Sequence, residues 1–173
     1  MKSVLLNVLR KKVTEDFRSK DAVFEKLGIE LKQKVDSIFG RSISIRAVDT
    51  GSDNSPEIEL VNLTTPHYDV ERFGVSFVAS PRHADVLAVT GPVTYNMAIA
   101  LKKTYDAMPS PKWVIAIGDD AIDGGIFRDT YAVLGGVDKV LPVDINIPGD
   151  PPSPKEILKG ILSLMNAIKT RRK

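Results

Sequence analysis

The run Trp113-Val114-Ile115-Ala116-Ile117 contains no polar side chain. Five consecutive apolar residues offer no face to water. A strand with that composition belongs inside a parallel sheet covered by helices on both sides. The surrounding sequence repeats the theme. Ser42–Val48 places Ile43, Ile45 and Ala47 on one face at period two. Val75–Ala79 and Asp85–Val89 read as two more strands, and Val140–Val143 as another. Helical signals separate them. A short helix is predicted from Pro56 to about Leu63, and Asp69 is placed to cap the turn DVERFG. A longer helix is predicted over Thr94–Met108, with Met97, Ile99, Ala100, Leu101 and Tyr105 able to pack. In the closing helix, Ser153–Ile168, Pro154 suits the first turn and Ile157, Leu158, Ile161, Leu164 and Met165 share a broad apolar face. Strands alternating with helices predict a flavodoxin-like, doubly wound parallel α/β sheet.

The first forty residues follow another pattern. Leu5, Leu9, Val13 and Phe17 recur every four residues, and Phe24, Leu27, Leu31, Val35 and Ile38 continue at helical spacing up to Gly40. The chain therefore divides into an N-terminal helical segment, residues 1–40, and an α/β domain, residues 41–173. The helices are either a separate arm or a layer on the domain's own core.

Composition removes several function classes. A net charge of +2 does not mark a nucleic-acid binder, and the basic residues at the two ends read as solubilising. The chain has no cysteine, which excludes disulfides, thiolate catalysis, zinc fingers and cysteine-ligated clusters together. No apolar run approaches a membrane span of ~20 residues, and Val4–Leu9 is too short for a signal-peptide core. These features predict a cytoplasmic protein. GDDAIDGG lacks the spacing of a phosphate loop, and its acids would repel phosphate. His83, in SPRHAD, reads as a structural hydrogen-bonding residue, Trp113 and the tyrosines as packing residues. No Ser–His–Asp arrangement emerges, so no catalytic residue is assigned.

In a doubly wound sheet, function gathers where loops leave the carboxyl ends of strands. Three loops fit: GSDNSPE (51–57), GDDAIDGG (118–125) and IPGDPP (147–152). Each sets glycine beside an acid. Their convergence would bring Asp53, Asp120 and Asp150 toward one point.

DTGSDNSPEIEL (49–60), YDVERFGVSFVASPRHADVLAVTGPVT (68–94), MPSPKWVIAIGDDAIDGGIF (108–127) and GGVDKVLPVDINIPGDPPSPKEILKGIL (135–162) carry a specific resemblance. The chain resembles the small electron-transfer subunit shared by membrane-bound [NiFe] hydrogenases of the formate hydrogenlyase type and respiratory complex I. It does so from about Ile45 to Ile168, and its first loop is closer to the hydrogenase branch. The resemblance implies a large-subunit partner, membrane-arm subunits and a position on the inner face of the cell membrane. It also implies four cysteines holding a [4Fe–4S] cluster, at the positions occupied here by Asp53, Pro56, Asp120 and Asp150. A cubane cluster needs soft thiolate donors. Carboxylates are hard donors and proline offers none, so the cluster is expected to be lost and no cofactor is expected in its place.

Three fates are open to the acids. They could hold Mg²⁺ or Ca²⁺ through Asp53, Asp120 and Asp150, with Asp119 as a further ligand. They could handle protons. Or they could be solvated and salt-bridged to Arg46, Arg82 or lysines. Three function classes follow: a structural and coupling subunit without a centre of its own, a redox subunit with a substituted centre, or a free-standing α/β binding domain.

Overall fold

The computed structural model describes residues 21–171. Five strands form one parallel sheet: β1 (Ile43–Asp49), β2 (Val75–Phe77), β3 (Val86–Thr90), β5 (Trp113–Ile117) and β7 (Ile145–Ile147), in the order β2-β1-β3-β5-β7. Two further strands, β4 (Val93–Thr94) and β6 (Val133–Gly135), pair antiparallel in a small separate sheet. Leaving that pair aside, the order is that of flavodoxin-like folds, with the order of strand addition reversing between β1 and β3. The helices are α1 (Ala22–Phe39), α2 (Ser55–Thr64), α3 (Tyr95–Ala107), the single-turn α4 (Asp119–Asp123) and α5 (Pro154–Arg171).

β3 and β5 are buried at every position, as apolar runs between two helical layers must be. On one sheet face, Ile43, Ile45, Val86, Ile115 and Ile117 pack with Phe24, Leu31 and Val35 of α1, Leu60 and Leu63 of α2, and Ile157, Leu158 and Ile161 of α5. On the other, Leu87, Val89, Val114 and Ala116 pack with Leu101, Met108, Ala121, Val137 and Leu141. Helix α1 is thus a layer on the domain's own core. Its N-terminus is capped by Asp21, whose carboxylate accepts the Val23 and Phe24 N–H groups, and its C-terminus by the left-handed Gly40. The stripe from Leu5 to Phe17 lies outside the described residues, as does part of the 1–40 segment.

Four expectations need correction. Val140–Val143 is not a strand. The N–H groups of Val140 and Leu141 both donate to Val137 O, closing a turn, and Pro142 has no N–H. Pairing with β5 starts at Asp144, whose N–H donates to Val114 O while its carboxylate accepts the Val114 N–H. In α3 only Leu101 is fully buried, while Ile99 and Ala100 face solvent. Asp69 precedes the turn Val70–Phe73 but its side chain makes no cap. Among the aromatics, Trp113 is buried and meets Phe39 edge-on, yet Tyr95 and Tyr131 are exposed.

One polar contact pins the base of the sheet. Asp85, nearly buried, accepts both terminal nitrogens of Arg41 (2.9 and 2.6 Å) and the Ser44 N–H (2.9 Å). The paired carboxylate raises the Arg41 pKa.

Candidate functional site

The three loops meet at the carboxyl end of the sheet. The loop after β1 is tied to the one after β3 by Thr50, which is fully buried. Its hydroxyl donates to Thr90 O and Gly91 O (both 2.9 Å), and the Thr94 hydroxyl donates to Thr50 O (2.9 Å). The loops after β5 and β7 are clamped reciprocally: the Asp119 N–H donates to Gly149 O and the Gly149 N–H to Asp119 Oδ1, each at 2.9 Å. The sequence marks Asp119 only as a supporting ligand; its clamp is a tertiary contact with no local signal. Gly149 has φ +139, and a Cβ there would stand 2.6 Å from Pro152 Cα, so the tight turn admits only glycine. A Cβ on Gly118 would lie 3.5 Å from Gly149 O and 4.0 Å from Pro56 Cβ, which places all three loops in contact range.

The four positions are therefore brought together, in unlike environments. Pro56 is buried in the first turn of α2. Asp53 is exposed and held by Ser55, whose hydroxyl (2.6 Å) and N–H (2.9 Å) both donate to Oδ1. Chiefly the hydroxyl bond, then the N–H, lowers its pKa. Asp150 is exposed. Asp120 is half-buried in α4 against Gly125. Burial first, then repulsion from Asp150 and Asp53, pushes its pKa up. An open cleft of about 440 Å³ is lined by Asp119, Asp120, Asp123 and Asp150 with Ile122, Gly125, Ile126 and Arg128.

Arg128 bridges Asp123 at 2.9 Å. Among the described residues, Asp53, Asp120 and Asp150 make no ion pair, so the bridges expected from Arg46 and Arg82 are not formed. Exposure to water compensates Asp53 and Asp150 instead. No group of three or more His, Asp or Glu among the described residues stands close enough to hold a metal ion. At His83 the backbone N–H donates to Ser80 O, while the imidazole is exposed.

The family model described as NADH ubiquinone oxidoreductase, 20 Kd subunit, matches residues 54–164, a span that includes the second and third loops and the first from Asn54 onward. The chain belongs to that family. It is 49% identical over 134 residues to an uncharacterised protein of Methanocaldococcus jannaschii, covering 77% of this chain and 90% of that one. It is 44% identical over 115 residues to a subunit of the F(420)H(2) dehydrogenase of Methanosarcina mazei, 66% of this chain and 62% of that one. A chain of the membrane-bound sulfane sulfur reductase, an archaeal respiratory membrane complex, superposes with a TM-score of 0.67 at 36% identity, over 75% of this chain and 72% of that one.

A [4Fe–4S] cluster does not fit the residues present. The positions that resemblance assigns to its ligands hold three carboxylates and a proline, and the chain has no cysteine to replace them. Among the described residues no helix is long and apolar enough to cross a membrane.

Proposed function

We propose that this chain is a cluster-less small-subunit homologue, a structural and coupling subunit of a membrane-bound, hydrogenase-like or complex I-like respiratory assembly. It docks to a large subunit and to membrane-arm proteins on the inner face of the cell membrane, and it touches the membrane through them. The part from residue 41 onward supplies the small-subunit scaffold and residues 1–40 add a helical segment to it. The chain carries no catalytic centre of its own.

One observation carries this reading: the three loops converge at the carboxyl end of the sheet, while the positions that the resemblance assigns to cluster ligands hold no thiolate. The Thr50 ties, the Asp119–Gly149 clamp and the Gly149 turn hold the loops together, and Asp53, Pro56, Asp120 and Asp150 supply no thiolate. Kinship with subunits of an F(420)H(2) dehydrogenase and of a respiratory membrane complex supports the assembly role. Proton handling at Asp120 is a second reading, favoured by its raised pKa.

Affinity purification of the full chain from native membranes tests the proposal. The subunit reading expects other respiratory subunits in defined stoichiometry, with no iron–sulfur signal attributable to this chain when it is purified alone. Broad absorption near the visible–ultraviolet edge with stoichiometric iron would refute the cluster-less role. Elution as a lone protein would refute the assembly.

A further inference from the structure

Helix α2 carries more apolar surface than the sheet beneath it covers. Leu60 and Leu63 are buried in the core, yet Ile58 and Val61, 56% and 64% exposed, stand one turn apart on the outer side. A helix that is apolar on both sides is normally covered on both. The sheet beside it is open as well. β2 ends at Phe77 while β1 runs on to Asp49, so Ala47 has no partner in β2. The result is a groove of about 340 Å³ lined by Ala47, Leu60, Val61, Thr64, Phe77 and Glu57.

Glu57 marks the groove a second time. Its Oε2 accepts the Ser52 hydroxyl at 2.6 Å, but Oε1 is buried with no hydrogen-bond partner. A buried carboxylate oxygen left unpaired is costly, and a cation arriving there would remove the cost. Among the described residues Glu57 is the one charged side chain lining the groove, and Asp49 follows Ala47 on the same face of β1. The groove therefore fits apolar side chains accompanied by positive charge.

Residues 1–20, outside the described residues, have that composition. Leu5, Leu9, Val13 and Phe17 recur every four residues, and the segment holds six basic residues and two acids, with Arg10, Lys11 and Lys12 in one run. It also starts from the right place. α1 begins at Ala22, and Phe24 in its first turn meets Tyr68 edge-on at 5.0 Å. The Tyr68 N–H donates to Thr65 O, next to the groove residue Thr64. A segment of this length reaches about 30 Å even as a helix, about twice the length of α2. Tethering favours it over a second chain, because a linked segment meets its site at an effective concentration on the order of millimolar.

We propose that residues 1–20 of this chain lie along α2 and cover the groove, with Phe17 and Val13 on Val61 and Leu60 and a cation of the Arg10–Lys12 run on Glu57. These contacts lie within one chain and do not depend on the assembly role.

The lack of cysteine makes the full chain its own background for disulfide trapping. Val61→Cys is combined in turn with Leu9→Cys, Val13→Cys and Phe17→Cys, and each purified protein is oxidised at low concentration. At least one pair is expected to close within the chain about ten-fold or more faster than a control pair, Val13→Cys with Ile99→Cys. Ile99 is as exposed as Val61, but its helix α3 packs on the other face of the sheet. Adding Glu57→Gln, which keeps the shape and removes the charge, is expected to slow closure about three-fold or more at low salt. Closure no faster than the control in all three pairs overturns the inference. Disulfides formed only between chains assign the groove to a second copy and also overturn it. If the pairs stay open while phosphatidylglycerol vesicles carry the wild-type chain down on centrifugation, the apolar stripe belongs to a lipid surface instead. A closure rate unchanged by Glu57→Gln removes the ionic contact. Failure of the chain to co-purify with other subunits would leave all these rates as they are, so the assembly role falls or stands separately.

Discussion

Asp120 is the acid on which the cradle presses hardest. Burial and the Asp150 and Asp53 carboxylates raise its folded pKa above the unfolded value of 3.8. An acid with a raised folded pKa favours the native state below its unfolded pKa, and that advantage is lost as pH rises through the folded value. Asp120→Asn should therefore raise stability at neutral pH by about 0.5 kcal/mol, the scale of partly exposed charge interactions. In thermal melts this is about 1–2 °C for a domain of this size. The gain should shrink toward pH 3.8, and a pH-independent gain would show that the electrostatic account is wrong. Thr50 works in the opposite sense. Thr50→Val keeps the shape but removes the hydroxyl shared by Thr90 O and Gly91 O. The expected loss is about 1–2 kcal/mol in denaturant titration, because Gly91 O loses the hydroxyl and Thr90 O keeps only the residue-50 N–H. The two roles were unequally legible in the sequence. Asp120 stood out as one of three converging acids able to handle protons, but not as the one that is half-buried. Thr50 gave no signal, because its partners lie forty residues away along the chain.

Among the elements, α3 rests on a narrow footing. Leu101 is its one fully buried residue, so Leu101→Ala should cost about 2–4 kcal/mol by leaving a cavity against Leu87 and Val89. Ile99→Ala, on the exposed side, should cost under about 0.5 kcal/mol in the isolated chain. Equal losses at both positions in denaturant melts would contradict the observed facing. Periodicity located this helix correctly but not its buried face, since five candidate apolar positions wrap more of the helix than one sheet can cover. The strands show the same division. Trp113–Ile117 was plain from composition, because a fully apolar run has one comfortable environment. Val140–Val143 was equally apolar and misled, because a preceding turn consumed its donors and Pro142 supplied none. The edge strand began where Asp144 could satisfy Val114 from its side chain.

For the whole molecule, the parallel sheet and its two cores should unfold as one unit, so hydrogen exchange should be slowest in β3 and β5, buried at every position. The cradle loops should exchange faster, with the Gly149 amide protected through its bond to Asp119. Asp119→Ala should release that protection without altering β3 and β5. Residue order alone determined the α/β class, the three strand-end loops, the missing thiolates and the family resemblance, because periodicity, turn chemistry and donor type are local properties. Only the tertiary structure decided that α1 belongs to the core, that Asp53 and Asp150 are solvated while Asp120 is half-buried, and that Ile126 is left in water beside the cleft. Those outcomes depend on which distant segments exclude water from one another, and no local pattern carries that information. The cradle began as four positions lacking their usual donors. Folding makes it an acidic cleft, edged with apolar side chains, at the carboxyl end of the sheet.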